Sequence, residues 1–457
     1  MHIERTVEMQ YLNNCYTKAG SQLIVLYGQK KIGKTQLLKN FTADKPYTYY
    51  KARSCSVREQ QYLWAKELAK EGVRLENYPS FAQIFEALTR QKTQKKVIVI
   101  DEFQHIVKAG TSFMKELVEF MHNDWNNQDV MIILCSSAVG WIENSMVTKI
   151  GTIAYEITGF LKVKEFGYRQ VTEYFSNYSV RECVETYAVL GGVPGLWACF
   201  DDTKTVKENI CRQILNCRGL LVAEAEQFVA EQLRETSVYH TILVSIAIGR
   251  HKLNDLYAHT GFSRAKISVY LKNLMELEIV EKVFSYDTAG KENTLKGIYR
   301  IKNNFVNFYF RYIYPNASKL DLMTEEAFYD AYIAPTFATY VAQYFQGVCM
   351  EYMEEQNKAD NLPLEYNKSG EWVGKVGTID IVAQDEIGQT LIGLCNWEKE
   401  NMTYDDVEWL YFCAKKAKLK PNYCYLFSAG GFDAKILDKA EADDTIFLID
   451  MVALQEV

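Results

Sequence analysis

Gly28-Gln29-Lys30-Lys31-Ile32-Gly33-Lys34-Thr35 follows directly on the apolar run Gln22–Tyr27. The spacing G-x-x-x-x-G-K-T between a strand and a helix is that of a phosphate-binding loop. Gly28 and Gly33 let the chain curl, so that the N–H groups of Gln29, Lys30, Lys31 and Ile32 converge on phosphate oxygens. Lys34 can reach β- and γ-phosphates, and the Thr35 hydroxyl is placed to ligate Mg²⁺. A helix starting near Lys34 and running through Gln36 adds positive potential at its N-terminus. The ligand class is a nucleoside triphosphate, read as ATP with Mg²⁺, and ADP after turnover.

A second element supplies carboxylates. Residues 95–102 read as a buried parallel strand, apolar on both faces and ending in Asp101 and Glu102. Asp101 is expected to complete the Mg²⁺ shell with Thr35, and Glu102 to polarise the attacking water beside Lys34. The bland alternative makes Asp101 the N-cap of the next helix and leaves Glu102 solvated. A binding switch needs only the aspartate, so Glu102 argues for hydrolysis, slow hydrolysis included. A third strand over 130–135 ends in Ser136-Ser137, where Ser137 suits a γ-phosphate or water sensor and an ordinary turn equally well. A strand at Tyr47–Lys51 and helices over 57–71 and 80–91 complete a parallel sheet covered on both faces.

Arg5 and Glu8 in "ERTVEMQYL", then "LIVLYGQKKIGKT", "VIVIDEFQ", "LCSSA" and "YAVLGGVPGLW" resemble the archaeal-type AAA/STAND-related ATPases over nearly the whole chain. The resemblance implies that Gly191-Gly192-Val193-Pro194 closes the ATPase core near the nucleotide. Relatives often carry "LYGR" after the sensor strand; here Lys149-Ile150-Gly151-Thr152 has no arginine. The resemblance therefore implies slow turnover or an arginine from elsewhere, such as a neighbouring copy in a homo-oligomer.

Composition bounds the rest. The chain has 457 residues, 48% hydrophobic and 24% charged, which is enough for about three domains with cores of their own. Its 11 cysteines show no CxxC pair, which supports neither zinc nor a redox motif. No signal-peptide profile or membrane-length apolar run occurs, so the expectation is a cytoplasmic protein with no membrane partner. A net charge of −7 makes any nucleic-acid case a local one.

That case lies in the middle. Helices over 238–248, 252–259 and Arg264–Glu276, the last N-capped by Ser263 with Ile267, Leu271 and Leu274 inward, precede strands at 278–283 and 297–301. The pattern is that of a winged helix-turn-helix, with a wing at 287–296 carrying Lys291 and Lys296. Residues 238–302 hold 10 Lys/Arg against 6 Asp/Glu. Ser263, Arg264, Lys266 and Lys272 lie mostly off the core stripe and suit contacts to duplex DNA, although such modules in ATPases of this kind often serve as packing or regulatory modules.

The last segment is α/β again, with a helix over 327–355, strands near 364–366, 378–382, 390–395, 423–427 and 445–449, and a helix over 405–416. In relatives this part looks like the PD-(D/E)xK restriction-endonuclease fold. Here "EID" is Thr378-Ile379-Asp380, "ECKW" is Leu394-Cys395-Asn396-Trp397, and the helix acid is Gln346. Only Asp380 remains, too little for a Mg²⁺-dependent nuclease. Glu398 shares strand parity with Leu394 and Asn396 and could be a migrated acid, while Lys399 would face the other way.

The fold class is thus α/β: a P-loop NTPase sheet (1–200), a helical connector (201–236), a winged helix (237–315) and a degenerate nuclease-like α/β domain (326–457).

Overall fold

The computed structural model describes residues 3–90, 94–110, 112–124, 129–230, 233–288 and 297–455. The chain forms two compact units, His2–Glu165 with Val193–Gly195, and Phe166–Gly192 with Leu196–Val457.

The first unit is built on a five-stranded parallel sheet. Its strands are β1 (Gln22–Tyr27), β2 (Tyr47–Lys51), β3 (Lys96–Asp101), β4 (Val130–Ser136) and β5 (Gly159–Lys162), in the order β2-β3-β4-β1-β5. Every residue of β4 is buried, as are all but the last of β1 and all but the first of β3, as expected for strands covered on both faces. Tyr50 of β2 stacks on Trp64 at 4.4 Å between centroids. Phe81, Phe85 and Phe113 extend this aromatic cluster beneath the sheet. The helices Val57–Lys70 and Phe81–Thr89 supply the covering layer, each N-capped by a serine (Ser56 and Ser80). Placing β4 between β3 and β1 brings the ends of three strands to one sheet edge, with β4 in the middle.

In the second unit, three helices (Thr236–Ala247, Leu253–Thr260, Arg264–Glu276) lead into the antiparallel hairpin β6 (Val280–Val283) and β7 (Ile298–Ile301). Ser263 caps the third helix by accepting from the Lys266 N–H, and Ile267, Leu271 and Leu274 are its buried stripe. The expected wing residues Lys291 and Lys296 lie outside the described residues. The expected connector contains short helices, Val206–Ile210 and Glu224–Ala230, with a π turn at Cys211–Leu215.

The C-terminal sheet is mixed, in the order β12-β11-β10-β9-β8: β8 (Lys368–Val373), β9 (Thr378–Gln384), β10 (Thr390–Asn396), β11 (Tyr423–Ser428) and β12 (Ile446–Ile449). Two expectations need correction. The segment 364–366 is not a strand, because the Asn357 side chain takes both backbone groups of Tyr366, at 3.0 Å each. The ladder begins instead at β8, which the sequence reading missed together with the helix Ala434–Ala442. The helix expected over 327–355 is not uniform either. It passes through a π turn, Tyr329–Ile333, before Ala334–Lys358, where Pro335 in the first turn has no N–H to donate.

Candidate nucleotide site

The loop after β1 is shaped by two close approaches. A Cβ on Gly28 would meet the Val163 carbonyl oxygen at 2.4 Å, so no larger residue fits there. Gly33 has φ +98°, a left-handed conformation that glycine adopts without strain, and it leads into the helix Lys34–Thr42. Lys34 is buried, and its ammonium donates to the carbonyls of Gly28 and Gln29, both at 2.7 Å. Burial lowers its pKa, against the opposing pull of Cys135, Glu102 and Asp101. The loop is thus wrapped around its own cation. Gln29 and Ile32 are buried while Lys30, Lys31, Thr35 and Gln36 are exposed, and the Gln36 amide pairs with Asn40 at 2.9 Å.

Arg5, part of the opening motif, braces the loop. It is buried, and its guanidinium donates to the carbonyls of Ile32 (2.7 Å) and Lys164 (2.9 Å) while pairing with Glu8 at 2.8 Å. Burial lowers its pKa and Glu8 opposes that. The Gly195 N–H holds the loop from the other side through the Lys31 carbonyl, at 3.0 Å. Gly195 follows the Val193-Pro194 part of the expected closing element, and a Cβ there would collide with Lys31.

Asp101 ends β3 and is buried. It does not cap a helix: one oxygen accepts from the Glu102 N–H (3.0 Å) and the other from the Tyr49 hydroxyl (2.5 Å). Tyr49 escaped the sequence reading. Its signal was parity, since Lys51 is in register with Asp101 and Tyr49 shares the Lys51 face of β2. Burial, then the bond to Asp101, pushes the Tyr49 hydroxyl far above its ordinary pKa, so it stays a donor. Cys135 of β4 is also buried against Asp101.

Glu102 has φ +53°, an uncommon conformation for a residue with a side chain, and it sits at a site of expected chemistry. Its carboxylate accepts from the Ser137 hydroxyl (2.7 Å), the Ser137 N–H (3.2 Å) and the Gln104 amide. Burial alone would raise its pKa; the Gln104 and Ser137 hydrogen bonds outweigh this and hold it below its usual value. The sheet order therefore brings Ser137 to Glu102. Gln104 gave no sequence signal beyond lying two residues downstream. Lys149 is exposed on the short helix Val147–Ile150, and no arginine lies in Lys149-Ile150-Gly151-Thr152.

The donor set suits Mg²⁺ and a triphosphate: hydroxyl and carboxylate oxygens, a buried ammonium and curled backbone N–H groups. Among the described residues no group of three or more His, Cys, Asp or Glu could hold a metal by itself.

Residues 2–198 match a family described as an ATPase domain predominantly from Archaea. This part of the chain is an archaeal-type ATPase domain. Residues 309–408 match a family of archaeal and bacterial proteins of unknown function. An uncharacterized protein of Methanocaldococcus jannaschii is 26% identical over 405 residues, covering 84% of this chain and 85% of its own. Among solved structures, the Walker-type ATPase of Pyrococcus abyssi has a TM-score of 0.46 at 18% identity, covering 68% of this chain and 96% of that one. The ORC2 protein of Aeropyrum pernix has a TM-score of 0.42 at 13% identity, with coverages of 70% and 92%.

The surroundings of Asp380 look different. Asp380 of β9 accepts one bond, from the Cys395 N–H at 2.8 Å, and Gln346 donates to its backbone carbonyl, also at 2.8 Å. Burial pushes its carboxyl up to about 6. Asn396 holds Ser428 and the Lys399 carbonyl. The parity argument for Glu398 and Lys399 fails because β10 ends at Asn396. Glu398 instead accepts from Thr339, and Lys399 pairs with Asp406. No helix among the described residues is long and apolar enough to cross a membrane.

Proposed function

We propose that the chain is an ATP-dependent switch with slow hydrolysis, in which nucleotide state in the first unit repositions the second. The observation that carries this is Glu102, turned out of the ordinary backbone range and held by Ser137 beside the Lys34 loop. In this reading the N–H groups from Gly28 to Gln36 grip the phosphates, Lys34 neutralises developing charge, and Thr35 with Asp101 holds Mg²⁺. The bound cation would offset charge on the phosphate oxygens. Glu102, freed from Ser137, accepts the proton of the attacking water. Its lowered pKa keeps it ionised and ready, and the hydrogen bonds keep it restrained, a combination that suits slow turnover. The nuclease-like C-terminal domain is structural or binding in this reading, since Asp380 has lost its acidic and basic partners.

Nucleotide affinity and turnover of the wild type and Lys34→Ala test the proposal. Binding should weaken at least tenfold and turnover should fall by roughly a thousandfold in the variant. Equal nucleotide binding by both proteins would overturn it.

A second reading, duplex DNA on the winged helix, is favoured by the exposed Ser263, Arg264 and Lys266 at the start of the third helix. It predicts salt-dependent duplex binding that is lost in Arg264→Ala/Lys266→Ala. Absence of duplex binding at low salt would remove it.

A further inference from the structure

The hairpin β6–β7 does not end free. Beyond β6, the Tyr286 N–H donates to the Glu371 carbonyl of β8 at 2.7 Å, and the Ser285 hydroxyl oxygen accepts from the Val373 N–H at 2.9 Å. The Tyr286 ring is buried in the C-terminal core with Trp372 and Ile379, and its hydroxyl reaches Gln384 at 3.1 Å. Arg300 of β7 pairs with Glu371 at 2.8 Å. These bonds pin the hairpin to the edge of the C-terminal sheet, and a cleft of about 840 Å³ opens beside the seam.

Its walls carry four cations, Lys252, Arg264, Lys282 and Lys375, against the carboxylates Asp287 and Glu371. Glu371 is already neutralised by Arg300. The half-buried rings of Phe284 and Tyr299 also line it, with the Lys282 ammonium 5.2 and 5.7 Å from their centroids. Cations interleaved with aromatic faces are what a polynucleotide backbone and its bases need. The volume falls in the range of sites that enclose small ligands. That room suits one or two nucleotides of a single strand.

We infer that this cleft, formed jointly by the hairpin and β8, binds single-stranded nucleic acid: phosphates on Lys282 and Lys375, a base stacked on Phe284 or Tyr299. The site differs from the duplex reading in drawing on the C-terminal sheet, although Arg264 belongs to both.

The test is fluorescence anisotropy of the full chain with a labelled oligothymidylate of about ten nucleotides, at low and moderate salt. The matched duplex, oligouridylate and thymidine monophosphate serve as comparison arms. Expected is salt-dependent single-strand binding, at least ~10-fold tighter than the duplex, weakened ~10-fold or more by Lys282→Glu/Lys375→Glu and several-fold by Tyr299→Ala. Lys375 is exposed, so Lys375→Glu alone probes the site without threatening the fold. Lys34→Ala should bind like wild type, which separates this inference from the nucleotide switch. The two polynucleotide arms decide between DNA and RNA as the natural strand. No single-strand binding at low salt, capture of the monophosphate alone, or binding indifferent to Lys375→Glu would each overturn the inference.

Discussion

Asp101 and Asp380 are both strand carboxylates that the sequence singles out as candidate metal ligands, yet their surroundings diverge. Asp101 shares its pocket with the Lys34 ammonium, the Tyr49 hydroxyl and a second carboxylate, Glu102, which is itself held by Ser137 and Gln104. Asp380 has one N–H and a neighbouring amide that bonds only its backbone, so burial, with the charge of Glu371 behind it, drives its carboxyl toward the neutral form. A carboxylate out of water is sustained by what faces it. The first site carries the partners that hold two negative charges together; at Asp380 a single N–H faces the carboxylate.

The largest test of this contrast is Glu102→Gln. Turnover should fall by roughly 10²–10³ while nucleotide affinity stays within a few-fold, because the amide still accepts from Ser137 but cannot take a proton. The matching change Asp380→Ala should leave turnover unchanged; a comparable loss there would break the comparison. Next in size is Arg5→Ala. Two carbonyls, Ile32 and Lys164, lose their charged donor and Glu8 loses its partner, so stability should drop by roughly 2–4 kcal/mol in thermal or denaturant unfolding. Nucleotide should restore part of that stability by mass action.

The smallest effect is on Asp380. With its folded pKa raised to about 6 from 3.8, its contribution to stability is fully present below the unfolded value and is lost as pH rises through about 6. Asp380→Asn should remove that slope, leaving the variant more stable than wild type by about 1–3 kcal/mol above pH 6 and no better near pH 4. Parallel stability profiles for the two proteins would mean that Asp380 is better solvated than its environment implies.

Much of the first unit was legible. Gln22–Tyr27 and Tyr47–Lys51 lie where periodicity placed them, because continuous apolar runs between turn residues leave few alternatives. The third helix of the middle segment likewise runs from Arg264 to Glu276. The C-terminal part was harder to read. Leu364 and Tyr366 are apolar and buried, as strand residues would be, but Asn357 on a preceding helix diverts the backbone of Tyr366. A local pattern cannot reveal a side chain that competes for a ladder. Glu398 was misjudged for a similar reason, since parity holds only as far as the strand does.

The sequence by itself determined the phosphate loop and the strand carrying Asp101 and Glu102. Each of these depends on residue types at short spacing, which local backbone geometry turns directly into a site. Tertiary structure alone decided that Ser137 grips Glu102, that Tyr49 caps Asp101, that Arg5 braces the loop through Ile32, and that the hairpin and β8 share a cleft. Those contacts join residues 27 to 98 positions apart, or neighbouring strands whose order no periodicity encodes. They exist only once the sheets have closed and each buried polar group has found its partner.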